Sequence, residues 1–270
     1  MKITRILLST AAALVVAGLA GCSGKTPGVA QGYVEGEYVY LAAPLGGALT
    51  NLAVARGDLV KVGQLLFELE RGSEAASLAQ AEKNLVAART SAELAAANFQ
   101  RRKELRESPS AIVSAEELER ARADRDAAAA QVDALQAARD KAQWAFDQKQ
   151  QFAPADAAVH DTLYRPGEFV AAGNPVIVLL PPGNLKVRFF VPQEKLARVK
   201  VGGTVSVQCD GAAKPFSATV NYIATKAEYT PPVIYSRETR AELVFMIEAK
   251  FSPADAAELR PGQPVDMQLP

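Results

Sequence analysis

Histidine is nearly absent from this chain of 270 residues, which has one, His160, beside two cysteines and one tryptophan. That scarcity argues against a zinc or haem site built on His and Cys, and against a disulfide-stapled scaffold. One His and scattered serines also cannot assemble a nucleophile, a base and an orienting group, so no catalytic site, metal or cofactor is expected. Net charge is missing too, with 30 basic residues against 30 acidic ones. A nucleic-acid footprint needs a basic excess, so no nucleic-acid partner is expected. No glycine-rich phosphate loop of the Walker type occurs, and energy for any work would have to come from a partner. What remains is enough chain for one to three domains with a real core. Its composition, 49% hydrophobic and 22% charged, is ordinary for a globular protein. Those averages conceal three parts of very different composition.

The first part is a leader. Lys2 and Arg5 precede a mostly apolar run from Ile6 to Gly18, too short for a comfortable membrane span of about 20 residues. Leu19-Ala20-Gly21-Cys22 follows at once. A plain signal peptide needs no cysteine there, and the sequence resembles the bacterial lipoprotein lipobox. The resemblance implies cleavage before Cys22, a diacylglycerol on its thiol and acylation of the new amino terminus. Several acyl chains, at about 0.8 kcal/mol per buried CH2, anchor a protein stably. The plainer reading is an uncleaved anchor helix with an incidental cysteine. Loss of residues 1–21 would leave 28 basic residues against 30 acidic ones and Cys209 as the one free thiol. Cys209 alternates with Val205 and Val207, the pattern of a buried strand cysteine and not of a reactive one. The expected location is the periplasm with a lipid anchor, in the inner membrane, although Ser23 favours the outer membrane under the enterobacterial sorting rule.

The second part, residues 73–151, has no glycine, one proline (Pro109) and 23 alanines among 79 residues. Most of the rest are strong helix formers. Leu78, Leu85, Ala92 and Phe99 are seven apart, as are Ala121, Ala128, Leu135 and Ala142, with Leu118, Val132 and Phe146 in support. Ser108-Pro109-Ser110 interrupts the pattern, and Ser114 with Glu117 three residues on reads as a capping box. The expectation is two antiparallel helices of roughly 35 residues, which at 1.5 Å per residue make a rod about 50 Å long. Its bland reading is a coiled-coil spacer without a specific partner.

The flanks of that rod repeat each other. Residues 54–70 and 164–180 align at a fixed offset, so that Gly57 matches Gly167, Asp58 matches Glu168, Gly63 matches Gly173 and Leu69 matches Leu179. Each copy reads as strand, glycine turn and strand, with Gly57, Gly63, Gly167 and Gly173 supplying turn conformations that other residues reach at a cost. Gly57-Asp58-x-Val60-x-x-Gly63-Gln64-x-Leu66 resembles one half of a biotinyl/lipoyl-like domain. Ala153-Pro154-x-Asp156 with Arg165-Pro166-Gly167-Glu168-x-Val170-x-x-Gly173 resembles the other half, although Ala157 stands where that pattern usually has glycine. A lipoyl-like domain interrupted by a long helical hairpin resembles the HlyD-type membrane fusion proteins, or periplasmic adaptors, over essentially the whole mature chain. Carrier proteins of the lipoyl class load a lysine at the turn between the halves. Here the insertion, entered at Arg71-Gly72-Ser73, replaces that turn, and no lysine is presented at its entry.

The third part alternates like an antiparallel barrel over Leu185 to Phe189, Thr204 to Gln208, Phe216 to Ile223 and Ala241 to Ala249. The expected fold is α+β, with a long antiparallel α-helical hairpin inserted in a biotinyl/lipoyl-like β-domain, followed by a small antiparallel β-barrel. Its boundaries are 1–21 signal peptide, 22–32 flexible linker, 33–72 first lipoyl half, 73–151 hairpin, 152–182 second lipoyl half and 183–270 barrel; residues 32–41 could contribute a strand to an extra membrane-proximal domain. Ala227-Glu228-Tyr229-Thr230-Pro231-Pro232, with Arg240 and Leu243-Val244-Phe245, resembles adaptors of ABC-type exporters. The chain stops soon after the barrel, which favours the same subgroup over adaptors of proton-driven pumps.

The resemblance implies a homo-oligomeric ring, hexamer or trimer, that bridges an inner-membrane ABC permease and ATPase to a TolC-type outer-membrane channel. In that family Arg, Leu and Ser at the hairpin tip meet the channel. Arg101, Arg102 and Leu105 on the first helix, with Ser114 and Leu118 on the second, take those places. Leu105 and Ser114 are nine residues apart, two more than the family norm, which lengthens the tip around Ser108-Pro109-Ser110. A coiled-coil lipoprotein that organises the envelope without an exporter, and a lipoyl carrier subunit of an enzyme, are the alternatives.

Overall fold

The computed structural model describes residues 29–109, 113–212, 214–229 and 243–269. The leader, Cys22 and Ser23, the middle of the hairpin turn including Ser110, and the stretch carrying Pro231, Pro232 and Arg240 lie outside the described residues. Two units divide the chain, one holding Glu37–Asn184 and the other the segment ending at Gly36 together with Leu185 onward.

The first unit is a β-sandwich with a helical insertion. Its strands are β2 (Val39–Ala42), β3 (Gly47–Leu52), β4 (Leu59–Val60), β5 (Leu65–Leu69), β6 (Gln150–Phe152), β7 (Ala157–Thr162), β8 (Phe169–Val170) and β9 (Pro175–Leu180). They form two four-stranded sheets, in the orders β2-β9-β7-β4 and β6-β5-β3-β8. Each sheet therefore takes strands from both sides of the insertion, and neither half has a sheet of its own. Phe67, Leu66, Leu69, Leu49, Val159, Ile177 and Leu179 fill the space between the sheets and are essentially inaccessible to solvent.

The repeat explains how the halves interlock. Gly57 N donates to Val159 O at 2.9 Å and Gly167 N to Leu49 O at 2.8 Å; Gly63 N donates to Ala153 O at 2.8 Å and Gly173 N to Ala43 O at 2.9 Å. Each of the four repeat glycines thus bonds the backbone of the other half, at matching positions. All four have positive φ, between 79° and 97°, a region that a side chain makes costly. The same offset carries Ala43-Pro44 onto Ala153-Pro154, so the repeat begins earlier than residue 54.

Between the halves stand α1 (Gly72–Glu107) and α2 (Ala115–Asp147), of 36 and 33 residues. The expected insertion ended at residue 151, but Gln150 and Gln151 belong to β6, paired with Glu68 and Phe67. Leu85, Ala88 and Ala121 are buried in the seam, with Leu78, Ala92, Phe99, Ala128, Val132, Leu135 and Phe146 half-buried along it. Two seam positions of α2 hold arginine. The Arg125 guanidinium lies 4.3 Å from the centroid of Phe99, and Arg139 pairs with Glu82 at 3.5 Å. Their apolar stems cover the seam while the charged heads reach its edge.

The second unit is a closed barrel of six strands: β1 (Val29–Gly36), β10 (Leu185–Pro192), β11 (Thr204–Cys209), β12 (Phe216–Ile223), β14 (Leu243–Phe251) and β15 (Pro264–Gln268), with the short β13 (Glu228–Tyr229) beside β14. Antiparallel pairing runs β10-β1-β15-β11-β12-β14 and closes from β14 back to β10. Alternate residues point inward, among them Val34, Val187, Phe189, Val207, Ile247 and Met267.

Here the structure corrects two expected boundaries. Residues 29–32 are strand and not linker, and residues 33–36 belong to the barrel and not to the first lipoyl half. The reason is the alternation of Ala30, Gly32 and Val34. The two side chains enter the barrel core, and Gly32 clears Phe189, because a Cβ there would stand 2.4 Å from Arg188 O and 2.6 Å from Phe189 Cβ.

Candidate functional site

The free end of the hairpin is built by two local devices. α1 stops at Ser108, whose extended backbone suits the residue before proline, and the Ser108 hydroxyl donates to Leu105 O at 2.8 Å. α2 starts with a complete capping box. Glu117 N donates to Ser114 Oγ at 3.2 Å, and Ser114 N donates to a Glu117 carboxylate oxygen at 2.9 Å. The bonds that the carboxylate accepts from Ser114 N and from the Ser114 hydroxyl lower the Glu117 carboxyl from its ordinary value.

The five expected tip residues fall into two groups. Arg101 and Leu105 are exposed one turn apart, on the side of α1 away from the seam. The other three are engaged within the hairpin. Arg102 reaches Glu117 O at 3.5 Å, Ser114 is the cap of α2, and Leu118 is half-buried in the seam. Arg106 adds a bond to Val113 O at 3.2 Å. The tip therefore offers Arg101 and Leu105 outward, a cation beside an apolar group, and spends Arg102, Ser114 and Leu118 on holding itself together.

The base of the hairpin holds a feature the sequence did not signal. Lys149, just after α2, is 3% exposed. Its ammonium lies 3.0 Å from the Glu74 carboxylate in the first turn of α1 and donates to Gly46 O at 2.7 Å. Burial pushes the Glu74 carboxyl up, but the hydrogen bonds from Lys149 and Ser73 outweigh it and the net shift is downward. Beside this pair the Arg71 guanidinium stacks 4.6 Å from the Phe146 centroid and pairs with Glu68 at 2.8 Å. A lysine thus does stand where the insertion leaves the sandwich, but its amine is enclosed and engaged, the opposite of a lysine offered to a loading enzyme. A further clasp joins the halves. Asp156 accepts from Lys61 Nζ at 2.8 Å and from Val62 N at 2.9 Å, and these bonds lower its carboxyl.

In the barrel, Lys186 and Arg188 of β10 meet Glu248 of β14 at 2.9 and 2.8 Å, and Arg188 meets Glu35 of β1 at 2.9 Å. This network ties three strands together on the side opposite the apolar core. Cys209 is buried and burial pushes its thiol up, which keeps it protonated.

The comparisons with known proteins agree with this architecture. No family model matches the chain. A UPF0194 membrane protein of Citrobacter koseri is 26% identical over 291 residues, covering 87% of this chain and 86% of the relative. The UPF0194 membrane protein YbhG of Salmonella gallinarum is 25% identical over 293 residues, covering 88% and 87%. Among solved structures, the membrane fusion protein Spr0693 from Streptococcus pneumoniae R6 matches with a TM-score of 0.65 at 20% identity, over 90% of this chain and 98% of that one. The fold is that of a membrane fusion protein. MacA from Actinobacillus actinomycetemcomitans shares it, with a TM-score of 0.53 at 20% identity over 90% of this chain and 78% of its own. Among the described residues no helix is long and apolar enough to cross a membrane.

Proposed function

We propose that the chain is the periplasmic adaptor of an efflux or secretion system. It would be anchored by lipid on Cys22, assemble as a homo-oligomeric ring, and join an inner-membrane ABC exporter to a TolC-type outer-membrane channel. The observation that carries this reading is the hairpin itself. A rod of 36 and 33 residues is mounted rigidly, through Lys149 and Glu74, on a sandwich whose two halves cannot separate. A spacer with no task at its far end needs neither a clamped base nor a cation and an apolar side chain turned outward at the tip. The membrane fusion protein fold of Spr0693 and MacA supports the same reading. Within it the chain moves no substrate; it seals and aligns a conduit, and the partner supplies the energy. The Leu243-Val244-Phe245 segment and the residues before Thr230 favour an ABC exporter over a proton-driven pump.

The test is co-purification from solubilised membranes after mild cross-linking. Recovery of an ABC permease together with an outer-membrane channel is the expected result. Recovery of a proton-driven permease would correct the exporter class. Recovery of neither a transporter nor a channel would overturn the proposal and favour an envelope-organising lipoprotein.

A further inference from the structure

Antiparallel pairing around the barrel gathers the starts of β1, β11 and β14 and the ends of β10, β12 and β15 at one end. β1 starts there at Val29, and six residues, 23–28, separate Val29 from Cys22. The seven chain steps from Cys22 reach about 25 Å when fully extended. A lipid on Cys22 therefore holds this end of the barrel within about 25 Å of a bilayer. The chain leaves the barrel at Gly36 and returns at Leu185, both at the other end. That end lies a further length of β1 away, about 25 Å.

The two ends differ in charge. The connections at the first end, residues 193–203 and 224–228, carry Lys195, Arg198, Lys200 and Lys226 against Glu194 and Glu228. Those at the second, residues 210–215 and 252–263, carry Asp210, Asp255 and Glu258 against Lys214 and Arg260. Among the described residues none of the four cations at the first end has an ion pair or a side-chain hydrogen bond. Elsewhere in the barrel Lys186 and Arg188 are tied to Glu248, and Arg260 donates to Ala257 O and Leu259 O at 3.4 and 3.1 Å.

An apolar side chain stands among the four cations. Lys200-Val201-Gly202-Gly203 is a closed turn, in which Gly203 N donates to Lys200 O at 2.9 Å and Gly202 has a φ of 85°. Gly202 N donates to Val220 O, and Val220 N donates to Gly203 O, both at 2.8 Å. The turn is thereby pinned to β12 and presents Val201, 64% exposed, at its corner. Leu243, exposed at the start of β14, adds a second apolar group at the same end. The sandwich has a turn of like sequence, Lys61-Val62-Gly63, but there the lysine is paired with Asp156 at 2.8 Å. Lys200 remains available to an anion outside the chain.

We infer that this end of the barrel docks on an anionic phospholipid surface. The four cations meet the phosphodiester headgroups, and Val201 enters the boundary beneath them beside the apolar stem of Lys200. The attraction of each cation to the lipid falls away within a Debye length of about 8–10 Å. Four are too few to hold a protein at the surface alone. The acyl chains supply the nearness, and the charges fix which end of the barrel faces the lipid. Of the proposed function, this inference rests on the lipid anchor alone.

The full-length protein, purified from membranes and placed in vesicles with brominated acyl chains, provides the test. Trp144 is the one tryptophan in the chain, so Trp144→Phe clears the background, and a single tryptophan is then placed at either end by Val201→Trp or Lys214→Trp. Bromine should quench the first and spare the second in vesicles of equal parts phosphatidylcholine and phosphatidylglycerol. Quenching should fade in phosphatidylcholine alone and at about 0.5 M salt. Lys200→Gln and Lys226→Gln should each lower the ratio of docked to undocked protein about fivefold. No quenching at position 201, equal quenching at both ends, or equal quenching in the two lipids would overturn the inference. So would a photoreactive group at position 201 that, in native membranes, captures a permease and no lipid. Mass spectrometry of the same samples separates the two readings. Quenching of the expected pattern at low salt without acyl chains on Cys22 would sink the anchor and leave the surface standing; acyl chains without quenching would do the reverse.

Discussion

Lys149 and Glu74 approach to 3.0 Å across the base of the hairpin, joining the end of one arm to the beginning of the other. The same ammonium holds Gly46 O, which precedes β3 of the sandwich. Three segments far apart in sequence are thereby fixed to one enclosed charge. A buried ion pair adds little stability compared with a well-packed apolar pair, but its rupture is costly, because one charge is then left without a partner.

Lys149→Met should therefore destabilise the sandwich by about 2–4 kcal/mol. Pairing it with Glu74→Leu should recover part of that loss. Urea unfolding of the four species gives the coupling between the two residues. A coupling indistinguishable from zero would remove the clamp from the account.

Acid should loosen both units. The Glu74 and Glu248 carboxyls lie below their ordinary value of 4.5 in the fold; burial raises each, but bonds from Lys149 to the first and from Lys186 and Arg188 to the second outweigh it. Depressed carboxyls bind fewer protons folded than unfolded, so their stabilisation is present above the unfolded value and is lost as pH falls through the folded one. Melting temperature should be level near neutrality and drop below the ordinary carboxyl value of 4.5. Glu248→Gln should flatten the acid limb of the barrel's transition.

Gly32→Ala should weaken the barrel alone. The added Cβ would meet Arg188 O and Phe189 Cβ well inside contact distance, at a cost of about 1–3 kcal/mol. Hydrogen exchange should rise in β1, β10 and β14 and stay unchanged in the hairpin.

Leu105→Asp tests the tip. Leu105 is exposed, so the helix should tolerate the change with unaltered circular dichroism, while recovery of the outer-membrane channel is abolished. Channel recovery equal to that of the parent protein would take Leu105 out of the contact.

Cys22→Ser tests the anchor. The parent protein should incorporate labelled palmitate and sediment with membranes, and the variant should do neither. A variant that still sediments with membranes would point to the uncleaved apolar leader as the anchor.

The α+β architecture was legible where local pattern and tertiary structure agree. Absence of glycine and the seven-residue spacing of Leu78, Leu85 and Phe99 mark α1, and the glycines at one offset mark the sandwich. Two things were not legible. β1 joins the barrel because Gly32 fits over Phe189, a residue on the far side of the entire insertion, and the alternation of Ala30 and Val34 would suit either sheet. Lys149 ends a charged helix and reads as solvated; it is enclosed because Gly47 has no side chain, and a Cβ there would stand 3.1 Å from Lys149 Nζ. At the tip, the sequence marked Ser114 as a helix cap, but spacing alone could not show that Arg102 is held by Glu117 O or that Leu118 turns inward.

The chain leaves the sandwich at Glu70 and is back at Lys149, whose carbonyl oxygen already accepts from Leu69 N at 2.8 Å. To the sandwich, everything between is a detour that returns to its starting point. Reach is accordingly a free parameter of this architecture. Removing seven residues from each arm would shorten the rod by about 10 Å and keep every seam residue opposite its old class of partner. The same deletion in one arm alone would shear α1 against α2 and expose the seam. A lineage built on this plan can match gaps of different width by paired insertions and deletions, with no compensating change in either β-unit.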